Sequence, residues 1–145
     1  MKKTVTLLSL SGVLLAGGLP LTATPAAASA CAFDPNKVEY ADDARIARKQ
    51  HAYYCRHRLI SARGALTAKG AAWFDLRNGT TPPARTDRAA ERQLRGYRDL
   101  GLWNPNRIEY ADAPRPALRQ FKSWFKKGYI SPEGAWTKKG KARFA

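Results

Sequence analysis

The clearest hydrophobic pattern in the chain lies near its C-terminal end, where apolar side chains recur at positions i, i+3, i+6 and i+7. These side chains are Leu118, Phe121, Trp124 and Phe125. Such spacing places all four on one face of an α-helix. We therefore predict a helix from about residue 116 to residue 127 with one buried face. Pro114 and Pro116 should delay its start, because proline is tolerated only in the first helical turn, and Gly128 should end it.

This helix belongs to a unit that occurs twice. When the sequence is shifted by 70 residues, residues 33–74 align with residues 103–144 without a gap, and 18 of the 42 aligned positions are identical. Chance does not produce this agreement, so the sequence indicates an internal duplication. The alignment predicts a matching helix over residues 42–57, with Asp42 as its N-cap. Because its stripe positions are less apolar, we expect the second copy to carry more of the core. The first copy has Arg48, His51, Tyr54 and Cys55 there.

Each predicted helix is followed by a short apolar segment, a glycine-containing turn and a threonine. The segments are Leu59-Ile60-Ser61 and Ala65-Leu66-Thr67 around Gly64, and Tyr129-Ile130-Ser131 and Ala135-Trp136-Thr137 around Gly134. This pattern predicts a small β-hairpin in each copy and then a second helix with the threonine as N-cap. The order resembles the tail of a winged-helix unit, in which a wing strand leads into such a turn. The predicted fold class is mainly α with short β-hairpins, an α+β fold of two tandem helix–hairpin–helix repeats.

A further amphipathic helix is predicted between the two copies, from about Thr86 to Leu100, ending at Gly101. At about 100° per residue, its apolar side chains cluster on one side and its arginines on the other. The apolar side chains are Ala90, Leu94 and Tyr97. The expected organisation is a leader over residues 1–30, repeat 1 over 31–77, a linker and bridging helix over 78–101, and repeat 2 over 102–145. Residues 31–145 should form one compact domain.

The first 30 residues have the pattern of a secretory signal peptide. Lys2 and Lys3 precede an apolar run over residues 5–15, and Ala28-Ser29-Ala30 provides a small-residue cleavage site. A transmembrane anchor would need about 20 predominantly apolar residues. Here serine, glycine and proline interrupt the stretch. We therefore expect a secreted protein whose mature chain has no transmembrane segment.

Secretion would place the two cysteines, Cys31 and Cys55, in an oxidising compartment, where one disulfide between them is expected. The alternative is a lipid-anchored protein acylated at Cys31, which excludes that disulfide. It is less favoured because Ala28 stands where a lipid-attachment motif usually has a larger aliphatic residue.

A metal site is the competing interpretation of His51, Cys55 and His57, since residues four apart on a helix can share a ligand. A structural zinc site needs four ligands, and the chain has only two histidines and two cysteines. The counterparts of positions 51 and 55 are Phe121 and Phe125. We therefore predict core packing and a disulfide here, with no metal and no cofactor.

The composition is strongly basic, with 26 Lys and Arg against 11 Asp and Glu and a net charge of +15. Two of the basic residues lie in the leader, which leaves 24 against the same 11 acids and a net charge of +13. A solvated surface is the plain alternative for any run of charges, but this excess favours contact with a polyanion. Trp103 and Trp136 should add stacking contacts. The predicted polyanion-binding residues are Arg85, Arg88, Arg92, Arg95, Lys126, Lys127, Lys138, Lys139, Lys141 and Arg143.

The sequence contains no phosphate-binding glycine loop, no Ser-His-Asp arrangement and no nucleophile elbow. The acids that recur in both copies are Glu39, Asp42, Glu109 and Asp112. They can serve acid–base chemistry, but helix capping and local ion pairs with arginines explain them with fewer assumptions. We therefore predict no catalytic residues.

The leading functional hypothesis is a secreted, cationic, non-enzymatic protein that binds an extracellular polyanion. The polyanion would be a cell-wall polymer, an anionic surface or nucleic acid. A first alternative is a secreted inhibitor or toxin-like protein that docks on an extracellular enzyme, which would suit the small size and the paired units. A second alternative is a small hydrolase that uses Glu39 or Glu109.

Overall fold

The computed structural model describes residues 31–144, so the predicted leader lies outside the described residues. This part of the chain contains five helices. They are α1 (Ala44–Arg56), α2 (Ala68–Asn78), α3 (Asp87–Asp99), α4 (Pro114–Lys126) and α5 (Lys138–Phe144). No helix within these residues is long and apolar enough to cross a membrane.

The helices begin at side chains that accept hydrogen bonds from backbone amides left without a helical partner. Thr67 and Thr137 accept from amides three residues ahead at 3.0 and 3.1 Å, as predicted. Thr86 caps α3 in the same way. The predicted cap of α1 was wrong by one residue. Asp43, and not Asp42, accepts from the Ile46 amide at 2.8 Å.

Helix α4 begins two residues earlier than predicted, at Pro114. Its N-cap position is Ala113, which makes no side-chain capping bond. The prolines do not delay the helix, because the amides of the first turn have no helical acceptor and proline therefore loses nothing there.

The predicted β-hairpins, and with them the α+β fold class and the winged-helix resemblance, were wrong. Within residues 31–144 each predicted hairpin is a single isolated bridge, Ile60 with Leu66 and Ile130 with Trp136. Strands cannot extend here because the helices lie too close on both sides. Helix α1 ends at Arg56, and the residue after Leu66 is already the N-cap of α2. The fold is therefore helical.

The main core lies where α3 packs against α4. Phe121 and Phe125 of α4 are completely buried, and Leu94 and Tyr97 of α3 are among the buried residues they join. Helix α2 adds Leu76 to the same cluster. The apolar faces predicted for α3 and α4 are thus confirmed as buried faces.

Repeat 1 has a smaller core of its own. It consists of Val38, Tyr54, Leu59 and Ile60, with both cysteines packed against it. The predicted disulfide between Cys31 and Cys55 is confirmed, with a Cα–Cα distance of 5.9 Å. In repeat 2 the equivalent positions are Gly101, which leads directly from α3, and the buried Phe125.

The two repeats differ most in what covers the first helix of each. In repeat 2 the Leu118 and Phe121 face of α4 is covered by α3. In repeat 1 the same face carries an exposed Arg48 and a half-buried His51. With Phe33, which is 52% exposed, they line an open groove of about 480 Å³. The disulfide therefore fixes the segment around Cys31, whose counterpart in repeat 2 is held in place by α3.

Removal of the disulfide by the double substitution Cys31→Ala and Cys55→Ala should lower the free energy of unfolding by about 3 kcal/mol, since the bond closes a loop between residues 24 apart. Urea unfolding followed by circular dichroism would measure the change. Reduction of the wild-type protein should give a similar loss and leave the variant unaffected. A loss well below about 1 kcal/mol would contradict the explanation that the disulfide stabilises repeat 1 as the covering helix stabilises repeat 2.

The second residue after α1 and its counterpart after α4 offer a second test of stability. Both adopt left-handed backbone conformations, but one is Arg58 (φ 57°) and the other Gly128 (φ 74°). A side chain in this conformation costs about 1–2 kcal/mol, and glycine avoids this cost. Arg58→Gly should therefore stabilise the protein by up to about 1 kcal/mol after the entropic cost of glycine. Gly128→Ala should destabilise it by about 1 kcal/mol or more. Opposite signs in urea unfolding are expected, and a destabilised Arg58→Gly variant would contradict this explanation.

Candidate polyanion-binding surface

Helix α3 and the residue before its N-cap present one predicted group of cationic side chains, which we call the α3 row. The row consists of Arg85, Arg88, Arg92 and Arg95. All four are exposed, because the opposite face of the helix is buried against α4. Arg88 and Arg92 form no salt bridge with any described residue. Arg95 lies 3.5 Å from Glu91, and both side chains are 61% exposed, so this pair contributes little.

Acidic side chains reduce the charge of α3. Residues 87–99 contain three acids, Asp87, Glu91 and Asp99, among four arginines, which are Arg88, Arg92, Arg95 and Arg98. Arg98 lies 3.8 Å from Asp99. The net charge of the helix is therefore small, and the α3 row alone is a weaker anion-binding surface than the sequence pattern indicated.

The stronger basic surface lies on α4 and the C-terminal segment after it. Residues 114–144 contain nine Lys and Arg and a single acid, Glu133. That acid is already engaged, since its Oε1 lies 2.5 Å from Nδ1 of His57 in the other repeat. The positive charge is thus almost uncompensated within this segment, and Asp75 of α2 is the acid that lines a cleft with Lys122 and Lys126.

Four of these residues form a row along α4 that was not predicted in full. The α4 row consists of Arg115, Arg119, Lys122 and Lys126, at positions i, i+4, i+7 and i+11. Arg115, Arg119 and Lys122 line one cleft of about 260 Å³, and Lys122 and Lys126 line an adjoining cleft of about 180 Å³. The spacing is visible in the sequence, but the apolar stripe on the other face of the same helix is the more prominent pattern.

The α4 row and the α3 row meet at the linker before α3. Pro83 and Ala84 line the larger cleft, and Ala84 is followed directly by Arg85. Lys122 donates from Nζ to the Pro82 carbonyl at 2.9 Å. Burial lowers the pKa of Lys122, because a desolvated ammonium is less stable in its charged form. Lys122 therefore serves the packing of the linker, and Arg115, Arg119 and Lys126 are the exposed members of the row.

The remaining predicted cations form a C-terminal basic cluster around α5. This cluster consists of Lys127, Lys138, Lys139, Lys141 and Arg143, and all are exposed. Lys139 donates from Nζ to the Lys127 carbonyl at 2.9 Å and lies 5.2 Å from the centroid of the Tyr129 ring. The other four form no salt bridge with a described residue and keep their charge available to a ligand.

The expectation that Trp103 and Trp136 serve as exposed stacking surfaces was wrong. Both are half-buried and pack against the main core. Trp136 stacks on Phe144 with centroids 5.0 Å apart and contacts Trp124 at 5.2 Å. The most exposed aromatic rings of the described chain are Phe33, Tyr53 and Phe144.

The four recurring acids do not form the caps and ion pairs that we expected of them. Glu39, Asp42, Glu109 and Asp112 are all exposed. None of them makes a salt bridge within residues 31–144, and Asp43 and Ala113 occupy the N-cap positions. In the same part of the chain, no group of three or more His, Cys, Asp and Glu side chains is arranged to hold a metal ion.

Comparison of the chain with protein-family models, with curated proteins and with solved structures finds no match. The functional interpretation therefore depends on the charge and geometry of these surfaces.

Proposed function

We propose that this chain is an exported, non-enzymatic protein that binds an extracellular polyanion through the α4 row and the adjoining cations. The observation that carries the proposal is the excess of cations in one segment: nine basic side chains share residues 114–144 with one acid, and that acid is paired with His57. The predicted leader supports export, and the confirmed disulfide suits an oxidising compartment.

The geometry supports contact with several anionic groups at once. Arginine forks at Arg115 and Arg119 can each make two parallel hydrogen bonds to a phosphate, sulfate or carboxylate. Because the row follows a helix, its members are spaced along a line, which suits a linear polymer better than a single small anion. Binding of this kind releases counterions from the polymer and therefore weakens as salt rises.

Neutralisation of the α4 row should weaken polyanion binding and reduce its dependence on salt. For the double variant Arg119→Gln with Lys126→Gln, the slope of log K against log salt for duplex DNA should fall in magnitude by about 1.8, since each lost phosphate contact removes about 0.9. Fluorescence anisotropy with labelled duplex DNA and labelled heparin, over about 50–200 mM salt, would measure this. The double variant Arg88→Gln with Arg92→Gln should have a smaller effect, because acids flank the α3 row.

The matched control is Arg45→Gln with Arg63→Gln, which removes the same charge from exposed positions in repeat 1. If the surface of repeat 2 forms the binding site, this control should bind nearly as the wild type does. Equal losses in the control and in the α4 variant would show that affinity follows net charge alone, and the proposed site would then be wrong. Absence of salt-dependent binding in the wild type would reject the proposed function itself.

A further inference from the structure

A second cationic feature lies apart from the basic rows, in a cleft between the two repeats. Its volume is about 430 Å³, within the range of small-ligand pockets. Helix α1 contributes Lys49, Gln50, Tyr53 and Tyr54, helix α2 contributes Trp73 and Arg77, and repeat 2 contributes Gly128, Ile130 and Thr137. We name it the inter-repeat cleft. Because each repeat supplies part of the wall, the cleft exists only in the assembled tandem unit.

One wall of the inter-repeat cleft is aromatic. Tyr53 is 39% exposed, and its ring centroid lies 6.2 Å from that of Trp73. Trp73 is fixed from behind by edge contacts with Tyr54 and Phe74, at 5.8 and 4.8 Å. The wall is thus a supported surface rather than a single mobile ring.

The duplicated unit does not require these rings, and Trp73 also packs against both hydrophobic cores. The counterparts of Tyr53 and Trp73 in repeat 2 are Ser123 and Arg143. The unit therefore folds without aromatic residues at these two positions. Aromatic side chains occupy these two positions only in repeat 1, where they border the cleft. Tyr53 leaves 39% of its surface exposed to water.

The same cleft is positively charged. The guanidinium carbon of Arg77 lies 5.6 Å from the centroid of the Trp73 ring. It also lies close to Gly128, where a Cβ atom would come within 2.9 Å of its Nη1 atom. The bare Cα of Gly128 thus leaves room for the guanidinium. Lys49 adds a second cation, and neither makes a salt bridge with a described residue.

The lining residues include no acid. Burial raises the pKa of Tyr53, and the nearby carboxylate of Glu133, which lies beside the cleft, raises it further. Its carboxylate is paired with His57, whose ring packs on Tyr53 with centroids 4.2 Å apart. The guanidinium of Arg77 and the ammonium of Lys49 are therefore the dominant charges that a ligand would meet inside the cleft.

A neutral hydrogen-bonding group completes the wall. The amide of Gln50 is oriented by its Oε1 atom, which accepts from the Ala41 backbone amide at 2.8 Å. Its Nε2 atom is a donor, and the phenol of Tyr53 can both donate and accept. Hydroxyl groups of a ligand thus have polar partners beside the aromatic surface.

From this combination we infer that the inter-repeat cleft binds an acidic sugar residue of an anionic glycan. The inference rests on the proposed function and names the ligand class. The apolar face of a pyranose ring would pack on Tyr53 and Trp73. Its carboxylate or sulfate would bind Arg77 and Lys49, and its hydroxyls would bind Gln50. A nucleic acid duplex is too wide to enter, and its phosphates offer nothing to the aromatic wall.

The test uses short ligands that fill a cleft but cannot span the basic rows. Calorimetry on the full mature protein would compare trigalacturonate, a sulfated heparin trisaccharide, methyl-esterified trigalacturonate and a short oligothymidylate. At least one of the two acidic sugars should bind, and the difference between them identifies carboxylate or sulfate as the preferred group. If trigalacturonate is the sugar that binds, its neutral ester should bind at least about tenfold more weakly, the equivalent of one charge-assisted hydrogen bond.

The double variant Lys49→Gln with Arg77→Gln should lose at least about tenfold in affinity for the acidic trisaccharide. The control Arg45→Gln with Arg63→Gln should bind it as the wild type does. The α4 variant should also keep this affinity while it weakens on long heparin, so that the two sites are tested separately. Melting curves would confirm that each variant is folded.

Three results would overturn the inference. One is a wild type that binds neither acidic trisaccharide, and another is an affinity unchanged by the Lys49 and Arg77 substitutions. The third is oligothymidylate binding that exceeds sugar binding and is lost in the same variant, which would identify a single-stranded nucleic acid site instead. Salt-dependent binding of long heparin that survives any of these results would leave the proposed function intact.

Discussion

The packing of α3 against the Phe121 and Phe125 face of α4 is the interaction on which the rest of the structure depends. It buries the apolar side of both helices and so turns their cationic sides outward, the α3 row on one helix and the α4 row on the other. It also makes the two repeats unequal. Repeat 2 is covered by a helix, whereas repeat 1 has no covering helix among the described residues and holds its first segment by a disulfide.

The parts of the structure that could be predicted from sequence are those that depend on residues close together along the chain. The faces of α3 and α4 are encoded by local spacing, and Thr67, Thr86 and Thr137 cap their helices as their side-chain chemistry suggests. The hairpin prediction was wrong because it considered only the β-like pattern around Gly64. Helices end and begin within a few residues of this segment and leave no room for strands. The α4 row was present in the sequence as a regular spacing of cations. The inter-repeat cleft was not, because Tyr53, Trp73 and Gly128 lie far apart along the chain and meet only through tertiary packing.

The two cationic features act over different distances. The α4 row faces solvent, where charges act over about one Debye length, roughly 8–10 Å at physiological salt. It can concentrate and orient a polymer, but it distinguishes poorly between polymers of equal charge density. The inter-repeat cleft has a concave, aromatic wall and places Arg77 beside Trp73. Contacts of that kind depend on ligand shape and are screened less by salt. A surface for capture would therefore lie on repeat 2, and a cleft for selection would lie where the two repeats meet.

Gly128 contributes both to the stability of the fold and to the proposed recognition site. Its left-handed backbone ends α4, as glycine commonly does at this position. The absence of a side chain also leaves the space that Arg77 occupies. Repeat 1 shows that the turn itself tolerates a side chain, because Arg58 adopts the same conformation with φ 57°. The conformation alone therefore does not require glycine at position 128. At position 128 a side chain would in addition meet the end of the flexible Arg77 side chain and displace it from its place over Trp73.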